Sequence, residues 1–270
     1  MYPIIVDLGF IKIYSYGFMI ILGVFLGYLY MLKQGKKNGL DSESISSLFL
    51  WCFFGVIVGG KVFLIFENPT YHLTHMKEFF ADFGRGFVFY GSFLATIPIL
   101  MWWFKKHKLN VWEQFDNVGI SGALVHGFGK IGCLLAGCCY GLVCQGNDSG
   151  IVYTNINAMA NPKGVPLYPT QIWDACMLLG IVGLMLVMKA RKKFHGQLFL
   201  TYGMVYAIGR FVTEKYRGDE SRGFLTFGGA IPENTLSHSQ FIAILVFMLF
   251  IGVGIWRYRK DPLKRDTPMS

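Results

Sequence analysis

Long apolar runs separated by short polar segments dominate the sequence. A helix crosses a bilayer core with about 20 consecutive apolar residues, and seven runs approach or exceed that length. They lie at roughly 16–32, 46–66, 86–104, 115–135, 169–189, 195–213 and 239–257. Several contain glycine, which membrane helices tolerate because their backbone hydrogen bonds stay within the helix. The pattern predicts an all-α integral membrane protein with about seven transmembrane helices.

Three connections between these runs are long, and all three fall on the same predicted side. They cover roughly 67–85, 136–168 and 214–238. We expect them to form a small cap on the helices, and loops of this kind often carry functional residues. No internal repeat at a fixed period is evident in the sequence, which argues against a solenoid or an inverted-repeat transporter. A single polytopic membrane domain over residues 1–270 is predicted.

Composition and charge place this domain in a membrane. Charged residues make up 15% of the chain and apolar residues 53%, whereas soluble proteins carry about 25% charged residues. The net charge of +9 would suit nucleic acid, but the basic residues cluster after alternate spans. By our count, fifteen lie on that side and seven on the other, as the positive-inside rule describes. We therefore expect no nucleic-acid partner.

This asymmetry also predicts the orientation. The N-terminus is expected outside, with 136–168 and 214–238 as outer-face loops, and residues 258–270 form a cytoplasmic basic tail. No basic segment precedes the first span, so we expect no cleavable leader.

Ionisable residues inside membrane spans are costly and are functional hypotheses by default. His126 and Lys130 are four residues apart, which places them on one helix face, and Arg210 and Glu214 have the same spacing. An ordinary ion pair explains the second pair equally well, and Lys61 is expected to snorkel to the lipid surface. Cations on two helices, beside glycines that permit close approach, predict a cavity for an anionic phosphate at the outer leaflet.

Four cysteines fall within nineteen residues: Cys133, Cys138, Cys139 and Cys144. Their spacing, C-x₄-C-C-x₄-C, is not that of a usual zinc ribbon. A disulfide from Cys133 to Cys138 or Cys139 is open if Gly137 ends the helix and the segment reaches an oxidising face. Packing of small apolar side chains is the interpretation that we favour, ahead of a disulfide, and metal binding or catalysis comes last.

Six segments carry motifs in the same order as one known family. They are IYSYGFMIILG, GGKVFLIF, FVFYGSFLA, GKIGCLLAGCCYG, LYPTQIWDA and YGMVYAIGRFVTEKYRGD. Together they resemble the prolipoprotein diacylglyceryl transferases, bacterial integral membrane enzymes that lipidate the lipobox cysteine of lipoprotein precursors. The resemblance runs nearly end to end. It departs where Lys61 and Lys130 stand for arginines, Tyr90 for a histidine and Cys133 for an asparagine.

The resemblance implies a reaction and a location. An sn-1,2-diacylglyceryl group would pass from phosphatidylglycerol to the cysteine thiol of a prolipoprotein, forming a thioether and releasing glycerol phosphate. The partners are then phosphatidylglycerol, the lipobox segment and membrane lipid, and no metal or other cofactor is expected. The site would face the outer leaflet of the bacterial cytoplasmic membrane. The rival interpretation is a non-catalytic phospholipid-binding protein or a small-solute transporter.

The resemblance also assigns roles to individual residues. The head group would be bound by Lys130, Arg210, Glu214, Gly132 and Gly141. The catalytic set would be Tyr16, Tyr90, His126 and Arg210. Because Tyr90 replaces the family's histidine, we hypothesise that His126, one turn from Lys130, supplies the missing imidazole.

Overall fold

Eight α-helices make up most of the described chain. The computed structural model describes residues 1–9, 12–67, 69–74, 89–146, 148–218, 235–260 and 263. The helices are α1 Ser15–Lys37, α2 Ser42–Glu67, α3 Pro69–Thr74, α4 Phe89–Lys106, α5 Val111–Ala136, α6 Thr170–Lys189, α7 Gln197–Thr213 and α8 His238–Lys260. A 3₁₀ turn over Glu214–Tyr216 extends α7.

Each of the seven predicted spans overlaps one of these helices. Five of them, α1, α2, α5, α6 and α8, are long and apolar enough to cross a membrane. Helix α7 is shorter, at 17 residues. Large apolar side chains such as Phe53, Met248 and Leu249 are well exposed on the helix surfaces, as contact with lipid requires. The protein is a helical membrane protein, and the count of seven spans stays a prediction.

Two small antiparallel strand pairs correct the all-α expectation. Strand β1 (Ile4–Asp7) pairs with β2 (Lys12–Tyr14), and β3 (Ile151–Val152) pairs with β4 (Pro166–Leu167). Strands of two to four residues are too short to leave an alternating pattern that the sequence could reveal.

The connection between α5 and α6 is folded around a small core of its own. This core is formed by Tyr140, Tyr153, Ala158, Ala160 and Leu167. The segment corresponds to the predicted loop 136–168, so that loop is a packed element and not a loose connection.

The described chain divides into two compact units. The first unit comprises Met1–Tyr30 and Phe115–Ser270. Its core lies between α5, α6 and α7 and is formed by Ile120, Ala123, Ile181, Val182, Met185 and Leu198. This unit holds most of the predicted site residues.

A single carboxylate fixes the start of α7 within the first unit. Asp116, which is 1% exposed, accepts hydrogen bonds from the backbone N–H groups of Gly196, Leu198 and Phe199. Lys192 completes the arrangement with an ion pair of 3.0 Å. The first N–H groups of a helix have no partner within the helix, so a carboxylate from α5 satisfies the first turn of α7.

The second unit, Met31–Gln114, pairs α2 with α4. A Cβ added at Gly59 would clash with the Gly91 carbonyl oxygen, so the two helices touch backbone to backbone. Lys61 on α2 is buried, at 6% exposure. Its predicted extension along the lipid surface is therefore wrong, since the side chain is almost fully covered.

Candidate active site

Glycines hold α1 against α5 beside the predicted site. A Cβ added at Gly132 on α5 would lie 3.2 Å from the Tyr16 Cα, and one at Gly27 on α1 would lie 2.5 Å from the Ser121 hydroxyl. Glycine permits the close approach of the two helices at these crossings, and Gly132 lies directly against Tyr16. Packing accounts for Gly132 by itself, and its predicted contact with a head group stays a prediction.

Lys130 forms a buried ion pair that the sequence analysis did not identify. Its Nζ lies 2.7 Å from Asp174 Oδ2 on α6, and the two side chains are 9% and 2% exposed. The second carboxylate oxygen of Asp174 has no hydrogen-bond partner among the described residues. Asp174 belongs to the segment LYPTQIWDA. A carboxylate four residues after Thr170, within an apolar helix, was the feature of the sequence that could have indicated a buried ion pair.

Arg210 and Glu214 form the i,i+4 ion pair that their spacing predicts. Arg210 Nη2 lies 2.6 Å from Glu214 Oε2 and also donates to the Ser239 hydroxyl at 3.4 Å. Glu214 is buried at the start of the 3₁₀ turn that follows α7. The buried Nη1 of Arg210 has no hydrogen-bond partner in the part of the chain that the structure describes. One arm of the guanidinium is thus held by Glu214, and no described residue holds the other.

His126 lies among tyrosines of α7. Its Nδ1 is 2.9 Å from the Tyr202 hydroxyl, and its ring packs edge-on against Tyr206 with 4.7 Å between ring centroids. A tyrosine hydroxyl at Nδ1 fixes the ring plane, whichever of the two groups carries the proton.

These groups form one electrostatic cluster in the first unit. His126 interacts with Lys130, Asp174 and Arg210, and Tyr206 interacts with the same three residues. Tyr16 interacts with Lys130. Each cation of the predicted cavity is paired with a carboxylate: the pair of Arg210 with Glu214 was one of the two interpretations of their spacing, and the pair of Lys130 with Asp174 was not expected.

A tight turn folds the chain back on itself where α5 ends. The N–H groups of Gly137 and Cys138 both donate to the Cys133 carbonyl, at 2.8 and 3.1 Å, and Gly137 has φ +80°. This is the arrangement of a glycine helix C-cap. The turn brings Cys138 and Cys139 back beside Cys133, although they follow it by five and six residues.

The sulfur atoms of Cys133, Cys138 and Cys139 all lie within 4.8 Å of one another. The YPTQ motif anchors this thiol cluster, because Thr170 donates to the Cys139 carbonyl and Gln171 to the Cys138 carbonyl, each at 2.8 Å. Hydrogen bonds from the thiols of Cys133 and Cys138 lower the pKa of the Cys139 thiol, and nearby cations add to this effect. From the sequence, metal binding or catalysis by these cysteines came last among the interpretations. The proximity of Cys133 to Cys138 and Cys139, which was expected if Gly137 ended the helix, is confirmed.

Gly141 is required by the backbone around it. A Cβ at this position would lie 2.5 Å from the Tyr168 carbonyl oxygen and 2.9 Å from that of Tyr216. Gly141 also pairs with Arg217 in an isolated β-bridge. The glycine therefore joins the segment after α5 to the segments that precede α6 and follow α7, and its predicted head-group contact remains untested.

Tyr90 lies in the first turn of α4. Its side chain lies outside the described residues, and its helix belongs to the second unit. Its predicted catalytic role therefore remains a prediction.

Comparison with known proteins agrees with the resemblance of the motifs. The sequence model of the family described as prolipoprotein diacylglyceryl transferase matches residues 3–256. A phosphatidylglycerol–prolipoprotein diacylglyceryl transferase 2 of Clostridium perfringens is 37% identical over 95% of both chains. A phosphatidylglycerol–prolipoprotein diacylglyceryl transferase of Clostridium tetani is 34% identical over 97% of this chain and 100% of its own. The family predicted from the motifs is confirmed: this chain belongs to the prolipoprotein diacylglyceryl transferases.

Proposed function

We propose that the protein transfers the sn-1,2-diacylglyceryl group of phosphatidylglycerol to the lipobox cysteine thiol of prolipoproteins. The products are a thioether and glycerol phosphate. The observation that carries the proposal is the Arg210 guanidinium, whose buried Nη1 has no hydrogen-bond partner among the described residues and which stands in one cluster with Lys130 and His126. Membership of the family and the names of the Clostridium relatives support the same reaction.

The phosphate is bound by Arg210 and Lys130. Charge develops on the phosphate oxygen as the bond from carbon to oxygen breaks, and donors aimed at that oxygen lower the barrier. Arg210 offers Nη1 while Glu214 holds Nη2 in place. Lys130 supplies a point charge and is positioned by Asp174. Gly132 and Gly141 let the backbone approach the head group closely.

His126 acts as the base that receives the thiol proton. A free cysteine thiol has a pKa of about 8.5, so little thiolate exists at neutral pH. His126 lies in the same electrostatic cluster as the two cations, and the Tyr202 hydroxyl orients its ring. Tyr16 and Tyr90 complete the proposed catalytic set. Full lipidation activity of a His126→Ala variant, in cells lacking their own enzyme, would show that this assignment is wrong.

The proposed topology has seven spans in one polytopic domain. The N-terminus and the loops 136–168 and 214–238 lie outside, and the tail 258–270 lies in the cytoplasm. The site then faces the outer leaflet of the bacterial cytoplasmic membrane. The excess of basic residues on one side supports this orientation. Reporter fusions at residues 38, 108 and 192 are expected to report the cytoplasm and fusions at 160 and 225 the outside, and the reverse pattern would contradict it.

A reconstituted assay tests the reaction. Purified protein is incubated with phosphatidylglycerol and a lipobox peptide, and mass spectrometry measures addition of the diacylglyceryl group. The control peptide carries serine in place of cysteine, and a control lipid carries a choline head group. We expect modification of the cysteine peptide alone and only with phosphatidylglycerol. An unmodified cysteine peptide, from protein that still binds the lipid, would favour the rival lipid-binding or transport function.

A further inference from the structure

The thiol cluster has the dimensions and the donors of a metal site. Zinc bound to thiolates has Zn–S distances of about 2.3 Å, which places tetrahedral sulfurs about 3.8 Å apart. The three sulfurs here lie within 4.8 Å of one another. A displacement of each sulfur atom by well under 1 Å, through rotation of the side chain, would therefore bring the three sulfurs to zinc-binding distances.

We propose that Cys133, Cys138 and Cys139 bind one Zn²⁺, whose fourth coordination position takes the thiolate of the substrate cysteine. This proposal rests on the proposed transfer reaction and names how its nucleophile is activated. It also replaces the expectation from sequence that the protein uses no metal.

The backbone holds the three cysteines in position before any ligand arrives. Cys133 and Cys138 are linked through the helix cap, in which Cys138 N–H donates to the Cys133 carbonyl at 3.1 Å. Cys139 has φ +57°, a conformation that non-glycine residues rarely adopt. Thr170 and Gln171 hold the carbonyls of Cys139 and Cys138 from α6. Such supporting contacts orient the residues that bind a metal and raise the affinity of the site.

The number of ligands favours a site that acts on substrate. Structural zinc sites have four protein ligands, whereas catalytic sites have three and leave one position for water or substrate. The group contains three ligands among the residues that the structure describes. Cys133 is buried while Cys138 and Cys139 are partly exposed, so the cluster has one side that a peptide can reach.

The surrounding charges suit an anionic zinc–thiolate centre. Zn²⁺ with three thiolates carries one negative charge, and a fourth thiolate makes it two. Cys139 interacts electrostatically with Lys130 and Arg217, and both cations oppose that charge. Soft thiolate ligands select zinc or copper(I) over magnesium or calcium. Zinc has no redox chemistry of its own, and the proposed transfer does not change the oxidation state of sulfur.

The chemistry is alkylation of a thiol. A thiol that coordinates zinc is deprotonated, and its proton passes to His126, which interacts electrostatically with Cys139. The sulfur electron pair then forms a bond to the glyceryl carbon of phosphatidylglycerol. The bond from that carbon to the phosphate oxygen breaks, and its electron pair leaves with glycerol phosphate. A thioether carries no charge and binds zinc weakly, so the product is released.

Metal analysis of the purified protein tests the site. We expect about one zinc per chain in the wild-type protein. Zinc content should be at least about tenfold lower in Cys133→Ser and Cys139→Ser. The matched control is Cys144→Ser, because Cys144 belongs to the same segment but not to the cluster, and it should retain its zinc. Zinc-free wild-type protein whose three thiols react fully with a maleimide would overturn the proposal, as would a disulfide between two of them.

Cobalt substitution tests the open position without relying on any variant. Zinc is removed from the wild-type protein with a chelator and replaced by Co²⁺, whose visible absorption reports its ligands. A lipobox peptide should change this spectrum and its serine counterpart should not. An unchanged spectrum with the cysteine peptide, at concentrations that support binding, would overturn the role of the fourth position.

The transfer assay on the same preparations separates the two proposals. Removal of zinc should lower the transfer rate by about a hundredfold, and zinc should restore it. Zinc-free protein with full activity would overturn the zinc proposal and leave the transfer function intact. Protein that binds zinc and the cysteine peptide but forms no thioether would overturn the transfer function and keep the metal site.

Discussion

Variants of the ion pair between Lys130 and Asp174 test its contribution to protein stability separately from its contribution to the transfer rate. Its atoms are 2.7 Å apart and its side chains are almost fully buried. Removal of one partner leaves a buried charge without compensation, which costs about 3–5 kcal/mol. Replacement of both partners by apolar residues of similar size is often neutral. Asp174→Leu should therefore destabilise the protein, and the double variant Lys130→Met/Asp174→Leu should recover most of the loss.

Catalysis should not recover with stability. If Lys130 stabilises charge on the departing phosphate, the double variant folds but loses about 10²–10³ in rate. Lys130→Arg keeps the charge and should stay active. The thermal unfolding temperature in detergent and the transfer rate are measured for the wild type, Asp174→Leu, Lys130→Met/Asp174→Leu and Lys130→Arg. The single variant Asp174→Leu should unfold roughly 10 °C lower than the wild type.

An exposed ion pair provides the matched control. Lys12 and Asp7 lie 3.3 Å apart with about half of each side chain exposed, and exposed pairs contribute little. Lys12→Met should leave both stability and activity unchanged. A Lys130→Met/Asp174→Leu protein with the wild-type transfer rate would refute the phosphate role of Lys130. An Asp174→Leu protein as stable as the wild type would refute the energetic argument.

Three further outcomes are expected. Asp116→Ala removes the acceptor of three backbone N–H groups and the partner of Lys192, so it should lower the unfolding free energy by about 3 kcal/mol or more. Asp116→Asn should have a smaller effect, and equal stabilities of the wild type and both variants would contradict this. Gly141→Ala should abolish transfer while the protein keeps its helical circular dichroism spectrum, because its Cβ would crowd two carbonyl oxygens. The control is Gly180→Ala, which should remain active because a Cβ there has open space around it. Arg210→Lys should lower kcat/KM for phosphatidylglycerol, because lysine cannot bind Glu214 and phosphate as a fork does; an unchanged kcat/KM would exclude the proposed contact.

The helices were predictable because a bilayer demands long apolar runs, and such runs are visible in one sequence. Helix α2 and helix α8 show this most plainly, because each is long enough and apolar enough to cross a membrane. The strands β3 and β4 were not predictable, because two residues carry no period. The burial of Lys61 was also missed, since the sequence alone does not show which neighbour covers a side chain.

The site was predictable in part. The four-residue spacings placed His126 beside Lys130 and Arg210 beside Glu214, because the geometry of one helix is regular. Asp174 was missed because its partner lies on another helix, 44 positions earlier in the chain. The proximity of Cys133 to Cys138 and Cys139 was predictable from Gly137 as a helix end. The joint placement of all three sulfurs was not, because linear spacing rules do not describe a chain that a helix cap reverses.

The Asp116 carboxylate, at the start of α7, also affects the direction of Arg210 near the other end of that helix. Helix α7 extends about 25 Å from Gln197 to Thr213 at 1.5 Å per residue, with Arg210 near its far end. A slip of one residue at the start of the helix would turn Arg210 by about 100° around the helix axis. The direction of the guanidinium thus depends on an anchor remote from the proposed phosphate site. A substitution that removes the Asp116 carboxylate would therefore disturb Arg210 without touching either substrate.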